Sequence, residues 1–113
     1  MKRIVIKFGG SSVGTIEKII NAAKIVKRRY EEGNEVMVVV SAMSGTTNDL
    51  INRSKKISEN FNKSELDVLM SSGEQISSAL FAGALIEQGV KARSWMGWQI
   101  PIFTNENHTS SQI

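Results

Sequence analysis

The sequence predicts an α/β domain built on a mostly parallel sheet. Three features carry that prediction: two apolar runs rich in β-branched residues, at positions 4–6 and 36–40, a helical apolar repeat between them, and small-residue loops after each run. With 113 residues, 41% of them hydrophobic, the chain suffices for one domain with a real core, spanning residues 1–113, and not for two.

The elements follow in order. Residues 2–8 read as a buried strand. Ile16, Ile19, Ile20, Ala23, Val26 and Tyr30 then recur at helical spacing behind Thr15, an N-cap with Glu17 in the first turn, and Gly33 ends that helix. Glu35-Val36-Met37-Val38-Val39-Val40 is continuous and bounded by turn residues, the pattern of a strand covered on both faces. The resulting β-α-β unit puts the loops after Phe8 and after Val40 at the same carboxyl edge of adjacent strands, where open α/β sheets bind ligands. From Asn48 to about Ile57 a weaker helical pattern runs through Leu50, Ile51 and Ile57, a polar connection covers residues 58–63, and Ser64-Glu65-Leu66-Asp67 has the form of a capping box. Gly73 is expected to interrupt the helix that begins there. A second helical stripe through Ile76, Ala79, Leu80, Gly83 and Ile86 ends at Gly89 in a left-handed C-cap. Residues 90–95 are of strand type, and Trp95 to Ile102 reads as a strand that turns at Gly97 and continues, with Trp95 and Trp98 as packing residues.

Composition narrows the functional classes. The chain has no cysteine, which removes disulfides, thiolate zinc sites and thiol nucleophiles together. No apolar stretch approaches the roughly 20 residues of a membrane span, so the expectation is a soluble, cytoplasmic protein without a membrane partner. Fourteen Lys and Arg against 11 Asp and Glu give a net charge of +3. Lys18, Lys24, Lys27, Arg28 and Arg29 share one helix with Glu17, Glu31 and Glu32 and without interleaved aromatics, a solvated face and no nucleic-acid surface. His108 is the sole histidine and has no carboxylate or thiol set around it, so neither a metal site nor a histidine-based triad is expected.

Three segments carry candidate chemistry. Lys7-Phe8-Gly9-Gly10-Ser11-Ser12-Val13-Gly14 joins a cation, a flexible backbone and hydroxyls at the end of a strand, the composition of a phosphate cradle and equally of a strand-to-helix turn. It is neither the triphosphate loop, whose lysine follows the glycines, nor the dinucleotide fingerprint. Residues 41–49, Ser41-Ala42-Met43-Ser44-Gly45-Thr46-Thr47-Asn48-Asp49, are dense in small hydroxyl residues, suited to a polar ligand or to an ordinary connection ending in a Thr or Asn helix cap. Ser71-Ser72-Gly73-Glu74-Gln75 places a carboxylate at an apparent helix start, where it bonds a ligand's ammonium group or simply complements the helix dipole.

Together these segments resemble aspartokinase. The string from Lys7 to Gly14, then Val38-Val39-Val40-Ser41-Ala42-Met43, Thr46-Thr47-Asn48, Leu69-Met70-Ser71-Ser72-Gly73-Glu74-Gln75-Ile76-Ser77 and Gly97-Trp98-Gln99 stand in that family's order and approximate spacing. Gly73-Glu74-Gln75 after Thr46-Thr47 favours it over the carbamate, acetylglutamate and uridylate kinases of the same superfamily. The resemblance implies the amino acid kinase (carbamate kinase-like) fold, a three-layer sandwich with a mostly parallel sheet. It also implies transfer of the ATP γ-phosphoryl group to L-aspartate with MgATP as co-substrate. The product, 4-phospho-L-aspartate, opens lysine, threonine, methionine and diaminopimelate biosynthesis. By the same resemblance Lys7 is catalytic, stabilising charge on the transferring group. Lys7, Gly9, Gly10, Ser11 and Ser41 surround the phosphates, and Thr47 and Glu74 hold aspartate. Ser11 stands where the family often has threonine and keeps the hydroxyl.

The chain ends at Ile113, whereas aspartokinases continue into the remainder of the kinase domain and usually ACT domains. The resemblance therefore implies the N-terminal part of an amino acid kinase domain without the adenine-binding half. The isolated chain is expected to be inactive, with an open sheet edge that favours association with a second copy or a complementary chain. A noncatalytic fragment or gene remnant that binds aspartate or associates with another chain is the alternative.

Overall fold

The computed structural model describes residues 2–95. Strand β1 (Arg3–Phe8), helix α1 (Ile16–Glu31), strand β2 (Glu35–Val40), helix α2 (Thr46–Ile57) and helix α3 (Lys63–Glu87) follow one another along the chain. The two strands pair in parallel, from Arg3 opposite Glu35 to Phe8 opposite Val40. The ladder runs one bond past each end, with Glu35 N–H donating to Lys2 O at 2.8 Å and Ser41 N–H to Phe8 O at 3.2 Å. The β-α-β unit and its parallel sheet are thus as the sequence predicts.

The register fixes which side chains meet the helices. Ile6, Phe8, Val36, Val38 and Val40 alternate onto one face and pack against a buried cluster of Val13, Ile19, Ala22, Ala23, Val26, Phe81, Leu85 and Val90. Phe8 and Phe81 tie strand to helix, their ring centroids 5.4 Å apart at a tilted 34°. α1 and α3 lie side by side over this face, and α2 packs on α3.

The opposite face of the sheet differs from expectation. Val5 is 67% exposed and Met37 63%, so among the described residues β2 is covered on one side only. A continuous β-branched run therefore does not by itself mean two covered faces. The other face also carries Lys7, and a cross-strand ion pair, Arg3 Nε to Glu35 Oε2 at 2.7 Å, closes its outer end. Both partners of that pair are largely exposed and it contributes little to stability.

Helix ends show where local signals hold. Thr15 caps α1, its Oγ1 accepting from Lys18 N–H at 3.2 Å. Gly33, at φ +92°, follows the helix, and the Asn34 side-chain amide donates to Arg29 O at 2.7 Å, satisfying a free end carbonyl. α3 closes as a Schellman motif: Gly89 takes φ +86°, its N–H bonds Ile86 O at 2.9 Å, and Val90 N–H reaches Leu85 O at 3.0 Å.

Four boundaries depart from the sequence reading. α2 starts two residues earlier than its apolar pattern, behind Gly45 at φ +85° with no side-chain cap, instead of a Thr or Asn cap. α3 starts at Lys63 behind Asn62, whose Oδ1 accepts from Glu65 N–H at 3.0 Å, so the cap stands two residues before the expected Ser64. It then runs unbroken through Gly73 for 25 residues. Residues 90–95 form no strand, since no neighbouring strand among the described residues pairs with them, and Val90 is buried as the apolar contact of the α3 C-cap. Trp95 is 53% exposed beneath the Arg93 guanidinium, 4.0 Å from its ring centroid, and not a core residue. The rest of the strand expected through Ile102, together with Gly97-Trp98-Gln99 and His108, lies outside the described residues.

Phe81 joins the sheet to α3, so Phe81→Ala should destabilise the chain by about 3–5 kcal/mol. Urea denaturation followed by far-ultraviolet circular dichroism measures this. A loss below about 1 kcal/mol would place the organising core elsewhere.

Candidate functional site

Both loops at the carboxyl edge of the sheet, together with one face of α3, enclose a cleft of about 530 Å³. Its floor and one wall are Gly10 and the loop Ser41, Ala42, Met43, Ser44 and Gly45; Thr47 comes from the start of α2; Asp67, Met70, Ser71 and Glu74 come from α3. The α3 residues are spaced by three, four and seven positions, the spacing of a single helical face.

The β1–α1 loop is a small closed structure. Ser12 N–H donates to Gly9 O at 3.0 Å, closing a turn, while the amides of Gly10 and Ser11 have no backbone acceptor among the described residues. Val13 turns inward and is fully buried, anchoring the loop to the core. From α1, Lys18 reaches back and its ammonium donates to Ser11 O at 3.0 Å, so a carbonyl of the loop is held by a cation. Free amides beside an ammonium group and a helix N-terminus form an electropositive end, the property an anion requires.

Close packing sets the spacing of the two loops. A Cβ on Gly10 would lie 3.1 Å from Ala42 O, and one on Gly14 would lie 3.0 Å from Ser44 Cβ. On the other side of the same loop, a Cβ on Gly73 would lie 3.1 Å from both Ala42 Cβ and Thr46 Cγ2. Residues 42–46 are therefore held between the glycine loop and α3 by positions that have no side chain.

Of the residues singled out in the sequence, the cleft brings together Gly10, Ser41, Thr47 and Glu74. Gly9 and Ser11 belong to the adjoining turn, outside the cleft lining. Lys7 stands at the carboxyl end of β1 on the exposed sheet face, with Phe8 next to it pointing into the core, and it too is outside the lining. Glu74 lies in the interior of α3 and not at a helix start, so the helix-dipole explanation of its presence does not apply. Its carboxylate is exposed and makes no hydrogen bond or ion pair among the described residues. Ala42, Met43, Ser44, Gly45, Asp67, Met70 and Ser71 complete the cleft without having been singled out individually. Asp67 and Ser71 were legible in principle, standing seven and three residues before Glu74 on the face of a helix that the sequence reading had broken at Gly73.

The described residues contain no group of three or more histidine, cysteine or carboxylate side chains able to hold a metal ion. No described helix is long and apolar enough to cross a membrane.

A parallel β-α-β unit, a glycine-hydroxyl loop and a polar cleft at the carboxyl edge make a site suited to a small polar or anionic ligand. The chain belongs to the amino acid kinase family, whose model matches residues 2–112. Its relatives narrow the type further. It is 51% identical over 110 residues to an aspartokinase of Geobacillus stearothermophilus, covering 97% of this chain and 27% of that protein. It is 51% identical over 113 residues to an aspartate kinase of Stutzerimonas stutzeri, covering 100% of this chain and 27% of that protein. The crystal structure of an aspartate kinase from Synechocystis superposes with a TM-score of 0.75 at 48% identity, over 76% of this chain and 15% of that one. The chain spans about a quarter of the length of the curated relatives it matches.

The Lys18 bond makes a local prediction. Lys18→Met, which keeps the aliphatic stem and removes the ammonium, should speed exchange of the Ser12 amide, which is bonded to Gly9 O within the loop, while changing global stability by less than about 0.5 kcal/mol. Lys18→Arg should preserve the slow exchange. Hydrogen-exchange NMR reads both, and equal rates in wild type and Lys18→Met would mean that the bond does not order the loop.

Proposed function

We propose that this chain supplies the phosphate-facing loop and the amino-acid-binding wall of an aspartate kinase. The reaction moves the γ-phosphoryl group of ATP to the β-carboxylate of L-aspartate. The observation that carries the reading is the meeting of Gly10, Ser41, Thr47 and Glu74 on one cleft from three separate stretches of chain. Support for aspartate in particular comes from the 51% identity to aspartokinases across nearly the whole chain.

Each residue then has a role suited to its chemistry. The exposed, unpaired Glu74 carboxylate bonds the ammonium group of the amino acid, and the Thr47 hydroxyl, exposed at the start of α2, bonds one of its carboxylates. The β-carboxylate of free aspartate is already ionised near neutral pH, about three units above its pKa, so its oxygen attacks the γ-phosphorus without a general base. The new oxygen–phosphorus bond forms as the bond to the bridging oxygen of ADP breaks, and ADP leaves with that electron pair. Negative charge spreads over the transferring oxygens, and catalysis consists of positioning and electrostatic stabilisation. Amides of Gly9, Gly10 and Ser11, the Ser41 hydroxyl and the Lys7 ammonium are the donors at this edge of the sheet.

Magnesium, which neutralises nucleotide phosphates in such reactions, finds no protein cage among the described residues, and none of the steps above runs through it. A cytoplasmic setting and a place in amino-acid biosynthesis belong to the same reading, as does completion of the nucleotide site by further chain or by a partner.

Two substitutions separate binding from chemistry. Glu74→Gln keeps the size and removes the charge, and should weaken L-aspartate binding to this chain by about tenfold or more, measured by isothermal titration calorimetry. Equal affinities would take Glu74 out of the site. In the active enzyme, Lys7→Ala should lower turnover by about a hundredfold or more with a smaller effect on aspartate affinity. Aspartate-dependent acyl phosphate trapped with hydroxylamine gives the rate, and unchanged turnover would remove Lys7 from the mechanism.

A further inference from the structure

Gly73 is the one residue of the Gly73-Glu74 pair with no functional group, yet it is buried in the middle of a 25-residue helix. Glycine is the poorest helix former after proline, because its backbone loses the most freedom on ordering. Alanine in the same place would favour the helix. A local account of α3 therefore gives no reason for glycine here, and the reason must lie in what the helix touches.

The contacts supply it. The space a Cβ would occupy is bounded by Ala42 Cβ and Thr46 Cγ2, each at 3.1 Å, and by Leu50 Cδ1 at 3.6 Å. Ala42 and Thr46 bracket the short loop that carries Met43, Ser44 and Gly45 along the cleft, with Ser41 and Thr47 immediately outside them. Both near contacts are tighter than ordinary van der Waals separation, so a methyl at position 73 requires Ala42 and Thr46 to give by a few tenths of an ångström. On the far side the loop faces Gly10 and Gly14, where an added Cβ would lie 3.1 Å from Ala42 O and 3.0 Å from Ser44 Cβ.

We propose that Gly73 is a positioning residue of the site: by lacking a side chain it seats the 42–46 loop against α3 and so sets the distance from Ser41 and Thr47 to Glu74. Its inference about ligand affinity rests on the reading of the cleft as an amino-acid site, while its inference about loop position does not. Gly73 is not among the residues that line the cleft. Its effect passes through Ala42 and Thr46, and this distinguishes it from a residue that merely keeps the helix intact, since alanine keeps the helix better.

The test compares the full 113-residue chain with Gly73→Ala and with a triple variant that adds Ala42→Gly and Thr46→Ser, which remove the two methyl groups the new Cβ would meet. In nitrogen–proton correlation spectra, Gly73→Ala should shift the amides of residues 41–47, and the triple variant should return them toward wild-type positions. L-aspartate affinity should fall about tenfold in Gly73→Ala and recover at least partly in the triple variant, since small displacements of positioned groups are costly. A Gly73→Ala chain that fails to fold while the triple variant folds supports the same conclusion. Shifts confined to residues 72–75 with affinity within about twofold of wild type would overturn the proposal, as would failure of the triple variant to restore fold or loop. If wild type shows no aspartate binding, the amino-acid reading fails, and the loop shifts alone decide the role of Gly73.

Discussion

The close approach of three chain segments at glycine positions is the constraint from which the candidate site follows. Residues 42–46 run between Gly10 and Gly14 on one side and Gly73 on the other, at separations where an added methyl group would meet its neighbours at 3.0–3.1 Å, closer than ordinary van der Waals contact. A β-α-β unit alone would put two loops at one edge of a sheet, several ångströms apart. The missing side chains allow the second loop to lie directly on the first and on α3, and this brings Gly10, Ser41, Thr47 and Glu74 to a single cleft. Placing glycine in a helix interior costs about 1 kcal/mol relative to alanine. The buried packing of α3 against α1 and α2 offsets it, with Phe81, Leu85 and Ser77 all inside.

The core and the cleft are mechanically linked. Val13 is buried between the glycine loop and α1, so the loop is tied to the hydrophobic cluster at one end and, through the Lys18 ammonium on Ser11 O, to the helix surface at the other. Phe8 ends β1 by turning into the same cluster, and the alternation of the strand then sends Lys7 to the opposite, exposed face. Lys7 is thus outside the cleft lining, on the sheet face exposed among the described residues. Val5, Met37 and Val39 on the Lys7 face remain open to solvent among the described residues.

Much of the fold was legible because it rests on local physics. Thr15 caps α1, Gly33 and Gly89 take positive φ at helix ends, and the β-branched run at 35–40 pairs in parallel with β1. Apolar periodicity and the conformational freedom of glycine are properties of the chain itself. The reading erred where a local preference met a tertiary contact: Gly73 does not break α3, Gly45 replaces an expected side-chain cap on α2, and Asn62 precedes the expected start of α3. It also erred where pairing needs a partner, since residues 90–95 have strand composition but no adjacent strand among the described residues.

By itself, then, the sequence determined the β-α-β order, the parallel sheet, both loops at its carboxyl edge and membership of the amino acid kinase family, because apolar period, turn chemistry and motif order are written in one dimension. Tertiary structure alone decided that Glu74 projects from mid-helix into the cleft, that Asp67 and Ser71 share its wall, that Lys7 lies on the other face, and that β2 is covered on one side. Those outcomes depend on which surfaces approach within van der Waals distance. Neither periodicity nor propensity encodes that distance, which is set only when the glycines of one segment meet the side chains of another.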